Sequence, residues 1–283
     1  TLHEGSNRCG SAKNWCLAAP FAVELSTQKT NANGQHTYEQ NTLVGTSFST
    51  PVVSGAAALV KQKYPWMQND QLRTTLLTTA TDLGKKGVDS VYGWGALNLQ
   101  KAIKGPAQFA FGDFVADVQT PAGQGYQTYT FSNNISGSGG LIKRGSGQLN
   151  VQGEHTYLGN TSIERGVLNL RGSLASPNIH IQPTGQLQLS AGSRAQSVAN
   201  NGWMVVNGNV RLEGDYTQGQ NASLVHRIGN LIDVGGASGT YTIAFLSAAP
   251  KMKATLFDRP AVIPIARERL AEAEAKATEM VSQ

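Results

Sequence analysis

The stretch that decides how this chain folds and what it does reads Gly45-Thr46-Ser47-Phe48-Ser49-Thr50-Pro51 and continues as Val52-Val53-Ser54-Gly55-Ala56-Ala57-Ala58-Leu59-Val60. It predicts a serine carried by a glycine turn at the start of an apolar helix. Gly45 allows a tight backbone that residues with a Cβ atom resist. The run of Ala, Val and Leu predicts a helix inside the protein. We therefore expect the Ser47 hydroxyl to point outward from a rigid, buried support.

The first turn of such a helix is suited to binding an anion. Its unpaired backbone N–H groups and the positive end of the helix dipole both suit an oxyanion. Pro51 is expected at an early helical position, where its missing N–H removes no intrahelical bond. The alternative is that Ser47 merely caps a core helix, since serine and threonine are favoured caps. The tripeptide Gly45-Thr46-Ser47 alone does not separate these two roles.

The complete stretch resembles the nucleophile motif of the subtilisin-like serine proteases (subtilases), G-T-S-x-[AS]-x-P-x-V-x-G, and its length favours catalysis. The segments 16–27 and 92–99 are also similar to that family, although Phe21 stands where the family usually has glycine. The similarity covers about a third of the chain. It implies that Ser47 is the catalytic nucleophile and that its backbone N–H belongs to the oxyanion hole.

The base that a nucleophilic serine requires is missing from this sequence. In subtilases the histidine precedes the serine within an H-G-T-x-V-A motif, and none of the five histidines has that context. His36 lies in a polar segment that predicts an exposed hairpin loop. The resemblance thus implies the C-terminal part of a protease domain, with Asp, His and the oxyanion Asn supplied by an absent N-terminal portion. The unassigned histidines are His3, His36, His155, His180 and His226.

Composition favours a secreted or surface protein with more than one unit. The chain has 283 residues, 40% hydrophobic and 14% charged, with 32 glycines. The net charge is +5, but the basic residues are scattered, so no nucleic-acid partner is expected. Neither a signal peptide nor an apolar run of about eighteen residues is found. If the protein is exported, we expect its targeting segment to have been removed.

The two cysteines, Cys9 and Cys16, are too few for a zinc site and do not form a C-x-x-C pair. A loop this short can close as a disulfide in an oxidising compartment, and the alternative is a pair of reduced structural thiols. No acidic loop has calcium-binding spacing, so Asp82, Asp89 and Asp113 are interpreted as surface carboxylates. We expect neither a cofactor nor a required metal.

Residues 139–212 change character, because apolar residues alternate and a short glycine-led unit recurs about every twenty residues. Each unit predicts a turn and a strand that buries one face only if similar strands stack above and below it. We therefore predict a parallel β-helix. An antiparallel meander or sandwich is the alternative. The units are 147–151, 166–170, 185–189 and 208–212.

Segments 141–153 and 157–168 resemble the passenger-associated repeat of bacterial autotransporters, L-x-K-x-G-x-G-x-L-x-[LV]-x-G followed by Y-x-G-x-T-x-[IV]-x-x-G-x-L. A subtilase segment followed by this repeat is similar to surface proteases that export themselves through a C-terminal outer-membrane barrel. The resemblance implies polypeptide substrates, the barrel as a partner, and a secreted or cell-surface location reached through the outer membrane.

The predicted fold class is a partial α/β subtilisin-like domain followed by an all-β parallel β-helix and a C-terminal α-helix. The last helix, over 266–281, is rich in Ala, Glu, Lys and Arg and has a narrow apolar side. Either it is solvated and lightly packed, or, as the resemblance suggests, it threads the barrel during export. The predicted domains are 1–105 (protease), 106–250 (β-helix stalk) and 251–283 (linker and amphipathic helix).

Two functions follow from these patterns. In the first, the chain is part of a secreted or surface-exposed serine endopeptidase that cleaves extracellular or surface proteins. In the second, it is a non-catalytic β-helical stalk or adhesin fragment. The intact nucleophile motif favours the first, and the missing Asp and His favour the second for the chain on its own.

Overall fold

The computed structural model divides the chain into two compact units, Thr1–Val225 and His226–Gln283. In the second unit, two strands pair in parallel, and residues 264–265 and 267–272 are helical. The rest of the helix predicted over 266–281 lies outside the described residues. Within the part of the chain that is described, no helix combines the length and the apolarity needed to cross a bilayer. The described residues are 2–227, 230–234, 253–257, 264–265 and 267–272.

The first unit begins with a short 3-10 helix, a β-hairpin and three α-helices. The hairpin strands are antiparallel, with Ala22 opposite Val44 and Thr30 opposite His36. The Asn31 side chain closes the turn by accepting the backbone N–H groups of Asn33 (3.0 Å) and Gln35 (2.9 Å). The elements are the 3-10 helix Gly10–Trp15, β1 Ala22–Thr30, β2 His36–Val44, α1 Thr46–Lys63, α2 Asn69–Thr78 and α3 Leu99–Ala102.

Helix α1 is less buried than its composition predicts. Only Ala56 and Val60 are buried, and Leu59 is 47% exposed. The prediction of an interior helix is therefore wrong for the described residues, because they pack against only one of its faces. Pro51 also lies deeper than predicted, at the sixth helical position. An N–H there would donate to the carbonyl of Ser47, so the proline leaves that carbonyl without its helical bond.

The segment after α2 folds back on the start of the chain. Helix α2 ends at Thr78, because Thr79 Oγ1 donates to the Thr75 carbonyl (2.6 Å) and the chain then turns away. Thr81 and Ala96 exchange two backbone bonds of 2.7 and 2.8 Å. Gly95, at φ 107°, leaves no room for a side chain, since a Cβ atom would lie 2.0 Å from the Thr81 carbonyl oxygen. Close backbone approach explains the glycine at this position.

Fourteen strands, β3 to β16, follow α3. Wherever the register of a pairing among them is described, the two strands are parallel. The predicted parallel β-helix is confirmed, and the meander is excluded. The strands are β3 Gln108–Phe109, β4 Phe114–Asp117, β5 Thr128–Phe131, β6 Ser136–Gly137, β7 Leu141–Arg144, β8 Gln148–Val151, β9 Glu154–His155, β10 Thr161–Leu170, β11 Ser173–Leu189, β12 Arg194–Asn200, β13 Trp203–Asn207, β14 Arg211–Leu212, β15 Tyr216–Gln218 and β16 Ser223–Arg227. In the second unit, β17 is Asn230–Val234 and β18 is Lys253–Phe257.

Three of the four predicted repeats stack in register. Leu149 lies opposite Leu168, which lies opposite Leu187, and Leu187 lies opposite Met204. All four side chains are buried. The fourth unit, 208–212, is assigned to the wrong place. Residues 202–206 occupy the stacking position predicted for 208–212, because the coil between 185 and 202 is shorter than the earlier coils. Residues 211–212 pair with 194–195 instead.

An aromatic cluster fastens the end of α1 to the first coils. The Tyr64 hydroxyl lies 3.0 Å from the Ile103 carbonyl oxygen and 2.9 Å from that of Thr130. Its ring packs against Phe131, with centroids 5.5 Å apart. One buried apolar cluster runs from Ala56 through the strands to Val206. The domain boundaries 1–105, 106–250 and 251–283 remain predictions.

Candidate active site

Ser47 is the second residue of α1, and its side chain is exposed. Gly45 is the helix N-cap, with φ 156° and ψ 151°, and it offers no side chain to the first turn. Ser47 is not the capping residue, so capping does not account for it. The N–H groups at the start of the helix have no carbonyl four residues earlier within it. The Ser47 hydroxyl therefore lies on a helix end that favours negative charge.

The turn that carries Ser47 is fixed from behind. Ser49 Oγ donates towards the carbonyl oxygens of Ala19 (3.3 Å) and Pro20 (3.0 Å). The Gly45 N–H donates to the Phe21 carbonyl oxygen at 3.1 Å. The segment 19–21 is part of the stretch with family resemblance, and Phe21 departs from the family's glycine. Its bonds to the serine turn use its backbone, which explains how the phenylalanine is accommodated.

The described residues place no base on Ser47, whose hydroxyl makes no hydrogen bond within them. His36 lies on β2, where its Nδ1 contacts Gln28 Nε2 (2.5 Å) and Thr30 Oγ1 (2.9 Å). His3 stacks on Phe21, with ring centroids 4.4 Å apart. His155 and His180 lie on the solenoid strands β9 and β11, and His226 lies on β16.

A groove of about 690 Å³ runs beside α1. It is lined by Thr46, Ser49, Val53 and Ala57 of α1, which recur at helical spacing, and by Leu72 and neighbours on α2. Its lining is more apolar than polar, although it opens to solvent. Ser47 is not among the lining residues.

The loop with the two cysteines forms another wall of this groove. The structure places their Sγ atoms at bonding distance, with Cα atoms 5.8 Å apart. The loop is fastened by the Gly10 N–H to the Ser90 carbonyl (2.7 Å) and by Trp94 Nε1 to the Asn14 carbonyl (2.8 Å). The disulfide of Cys9 with Cys16 stays a prediction that chemical analysis can test.

Three aspartates interpreted as plain surface carboxylates in fact organise loops. Asp89 accepts the backbone N–H groups of Val91 (2.7 Å), Tyr92 (2.8 Å) and Lys85 (3.0 Å). Bonds from Tyr92 and Val91 hold the pKa of the Asp89 carboxyl below its ordinary value. Asp82 accepts the Gly87 N–H, and Asp113 accepts the Gly140 N–H. Among the described residues, no three His, Cys, Asp or Glu side chains cluster as metal ligands.

Two family models match the sequence. The subtilase family model matches residues 1–95. A model described as an O-methyltransferase domain matches residues 204–282. The described start of that second range belongs to the solenoid, since Met204 pairs in parallel with Leu187 in the same stack as the earlier coils. The strand register therefore gives no support to a methyltransferase.

Two relatives align with this chain well beyond the residues that the subtilase model matches. The chain is 41% identical over 258 residues to the Neisserial autotransporter lipoprotein NalP of Neisseria meningitidis serogroup B, an alignment covering 88% of this chain and 23% of that protein. It is 32% identical over 231 residues to an extracellular serine protease of Serratia marcescens, covering 66% and 22%. It is 48% identical over 87 residues to Subtilisin Savinase of Lederbergia lenta, covering 30% and 31%. The chain thus spans about a quarter of the first two relatives.

Proposed function

Because residues 1–95 of this chain are a segment of a subtilase domain, continuous with an autotransporter-type solenoid, we propose that the chain is part of a serine endopeptidase. Its relatives include an autotransporter lipoprotein and an extracellular protease, which supports a place outside the bacterial cell or on its surface. The proposed substrates are extracellular or surface polypeptides. The proposed partner for export is an outer-membrane barrel of the autotransporter type.

In the proposed reaction, Ser47 Oγ attacks the scissile carbonyl carbon. A histidine accepts the hydroxyl proton, and an aspartate orients that histidine. The backbone N–H of Ser47 donates to the oxyanion of the tetrahedral intermediate, together with an asparagine side chain. The histidine then protonates the leaving amine, and water hydrolyses the acyl-enzyme. The Asp, His and Asn of the subtilase motifs are absent from this sequence, so the proposal takes them from an N-terminal portion of the protease.

The observation that carries the proposal is the exposed Ser47 hydroxyl on a helix start whose backbone is fixed independently of it. Gly45 bonds to Phe21, and Ser49 bonds to Ala19 and Pro20, so Ser47 is left free. A merely structural serine in this place would use its hydroxyl as Ser54 does, donating to a backbone carbonyl (Thr50, 3.1 Å).

The groove beside α1 supports docking of the remaining protease domain on this segment. Val53 and Ala57 are half-buried in it, and Leu59 is 47% exposed on the same helix. Burying such apolar area against another part of the protease would contribute a stabilising free energy of about 25 cal/mol per Å². In the parent protease, Val53→Asp should abolish activity by disrupting this contact. Gln62→Asp, an exposed position on the same helix, should not.

The direct test is peptidase activity of the parent protease on a casein substrate. Ser47→Ala should lower kcat by about 10⁶-fold, the size associated with losing the nucleophile of subtilisin. Ser54→Ala is the matched control, because Ser54 is an exposed serine on the same helix. Full activity in the Ser47→Ala protein would contradict the proposal.

The second candidate function is a non-catalytic stalk or adhesin fragment. It is favoured by one observation, the lack of any base bonded to Ser47 within the described residues. A parent protein that folds, is exported and shows no peptidase activity would support it over the protease.

A further inference from the structure

A second cavity lies where the helices meet the first coils, and the established resemblance does not account for it. Its volume is about 600 Å³, within the range of roughly 300–1,000 Å³ typical of small-molecule sites. Its walls come from the turn that precedes α2, from the first residues of α2, from β4 and β5, and from the loop between those two strands. Helix α1 has 18 residues and is about 27 Å long, and Ser47 lies at the far end from this cavity.

The lining of this cavity has an unusual composition. Two aromatic side chains, Trp66 and Tyr129, lie with their ring centroids 6.2 Å apart and nearly perpendicular. Both are only partly buried. Five glutamines surround them, and the single charged side chain in the lining is Asp117. The glutamines are Gln68, Gln71, Gln119, Gln124 and Gln127.

Four of the five lining glutamines use their side chains in hydrogen bonds to neighbouring groups, and Gln124 is the exception. The Gln124 side chain makes no hydrogen bond within the described residues, while its backbone N–H donates to the Pro121 carbonyl at 3.1 Å. The Trp66 indole N–H is buried and has no partner among those residues. An unpaired buried donor costs about 1–3 kcal/mol.

The loop that carries the glutamines is held in place. The Thr120 N–H donates to Ser146 Oγ (3.1 Å), and the Gln127 N–H donates to Thr120 Oγ1 (3.3 Å). Gln127 Nε2 donates to the Gly125 carbonyl at 2.8 Å, and the Tyr129 hydroxyl donates to Gln127 Oε1 at 3.3 Å. These bonds fix both ends of the loop. A site held this way loses less conformational entropy when it binds a ligand.

The chemistry of the lining selects a class of ligand. Glutamine amides offer both donors and acceptors, which match neighbouring hydroxyl groups. Aromatic faces pack against the less polar C–H face of a sugar ring. Among the described residues, no Lys, Arg or His lines the cavity, and its single charged side chain is the carboxylate of Asp117. We propose that this cavity, defined by Trp66, Tyr129, Asp117 and Gln124, binds a short neutral oligosaccharide.

A peptide is a poorer match for the same walls. Peptide grooves offer a free strand edge or a continuous apolar trough. Here side-chain amides dominate the lining, one edge of β5 pairs with β8, and the Thr130 carbonyl of β5 accepts the Tyr64 hydroxyl at 2.9 Å. Phosphorylated or sulfated ligands need cationic partners, which this lining lacks. The site is independent of the proposed peptidase reaction, so each can fail without the other.

The test is binding of the purified protein to printed glycans, followed by calorimetric titration with lactose, maltotriose, N,N′-diacetylchitobiose and, as an acidic comparison, sialyllactose. We expect saturable binding of at least one neutral glycan. Gln124→Ala and Asp117→Asn should each weaken that binding at least tenfold. Gln182→Ala, an exposed glutamine on β11, is the matched control and should bind unchanged.

A third variant, Tyr129→Phe, keeps the ring in the aromatic cluster and removes only the hydroxyl. Because it also removes the bond to Gln127 Oε1 that holds the loop, it should weaken binding, and a thermal unfolding midpoint no lower than that of Gln124→Ala would show that the fold is retained. The proposal is overturned if no neutral glycan binds the folded protein. It is also overturned if only sialyllactose or a casein peptide binds, or if the Gln124→Ala and Asp117→Asn proteins bind as tightly as the unmodified one.

Discussion

Because of His155, the unfolding free energy of the solenoid should fall at low pH. Its side chain is 1% exposed, and neither ring nitrogen has a hydrogen-bond partner among the described residues. Burial lowers the pKa of His155 from 6.5 to about 4, because the charged imidazolium loses its hydration there. The folded protein thus keeps the ring neutral at a pH where the unfolded chain already binds a proton. Acid therefore favours unfolding.

The size of the effect follows from the two pKa values. They differ by about 2.5, and each unit corresponds to about 1.4 kcal/mol, so the loss reaches about 3 kcal/mol. The contribution is fully present above pH 6.5, falls as the pH drops towards 4, and changes no further once the folded state is also protonated. This window is set by His155 alone, and other groups add their own pH dependence to the total.

Urea unfolding followed by circular dichroism, at steps between about pH 7.5 and pH 4, measures this loss. Leucine at position 155 removes two unpaired nitrogens and keeps a similar volume, so His155→Leu should be close to neutral at pH 7. The difference in unfolding free energy between the unmodified protein and this variant should fall by about 3 kcal/mol across the range. The exposed His226→Leu serves as control. Parallel pH profiles for the unmodified and His155→Leu proteins would refute the reasoning.

Three further substitutions test the packing. Gly140→Ala should cost at least about 2 kcal/mol in urea unfolding, since its Cβ would lie 2.1 Å from the Asn160 carbonyl oxygen, whereas Gly125→Ala meets nothing within 4 Å and should be neutral. Lys143→Met should cost about 3 kcal/mol or more in thermal unfolding, because the buried ammonium donates to the carbonyls of Arg144 (2.5 Å), Gly145 (2.9 Å) and Arg165 (3.1 Å); exposed Lys63→Met should cost little. Alkylation without reductant should label neither Cys9 nor Cys16, and replacing both by serine should cost about 2.5 kcal/mol for this short loop; two labelled thiols would contradict the pairing.

The sequence alone predicts the solenoid because its periodicity is a local signal. Alternating apolar residues and glycines at about twenty-residue spacing require strands that stack, and Leu149, Leu168 and Leu187 do so. This periodicity does not determine the register of the last coil. The unit 208–212 alternates after its glycine, whereas the segment that takes its place follows Gly202 with four apolar residues in succession, so alternation selects the wrong segment.

Burial was harder to predict than element type. The composition of α1 indicates an interior helix, yet one face alone is covered by the described residues. The sequence of a helix shows how much apolar area the helix carries, but it does not show which element covers that area. Lys143 gives the opposite case. It is the lysine of the repeat motif, and nothing in its spacing indicates a fully buried amine bonded to three carbonyls.

For the site, the motif identified Ser47 and the structure supplied its position at an exposed helix start. Sequence reasoning does not predict the bonds from Gly45 and Ser49 to segment 19–21, since the bonded residues lie far apart along the chain, up to 30 positions for Ser49 and Ala19. The loop-building role of Asp89 was missed as well. The sequence signal for this role is the Asx-turn spacing, since Asp89 accepts the backbone N–H groups of Val91 and Tyr92, two and three residues later.

The central claim is that Ser47 is a nucleophile once its triad is complete, and covalent labelling tests it most directly. The parent protease is treated with a fluorophosphonate, digested, and mapped by tandem mass spectrometry, beside its Ser47→Ala and Ser54→Ala variants. We predict one adduct, on Ser47, that disappears in the first variant and persists in the second. A folded parent protein that carries no adduct, or carries it on another serine, would contradict the account.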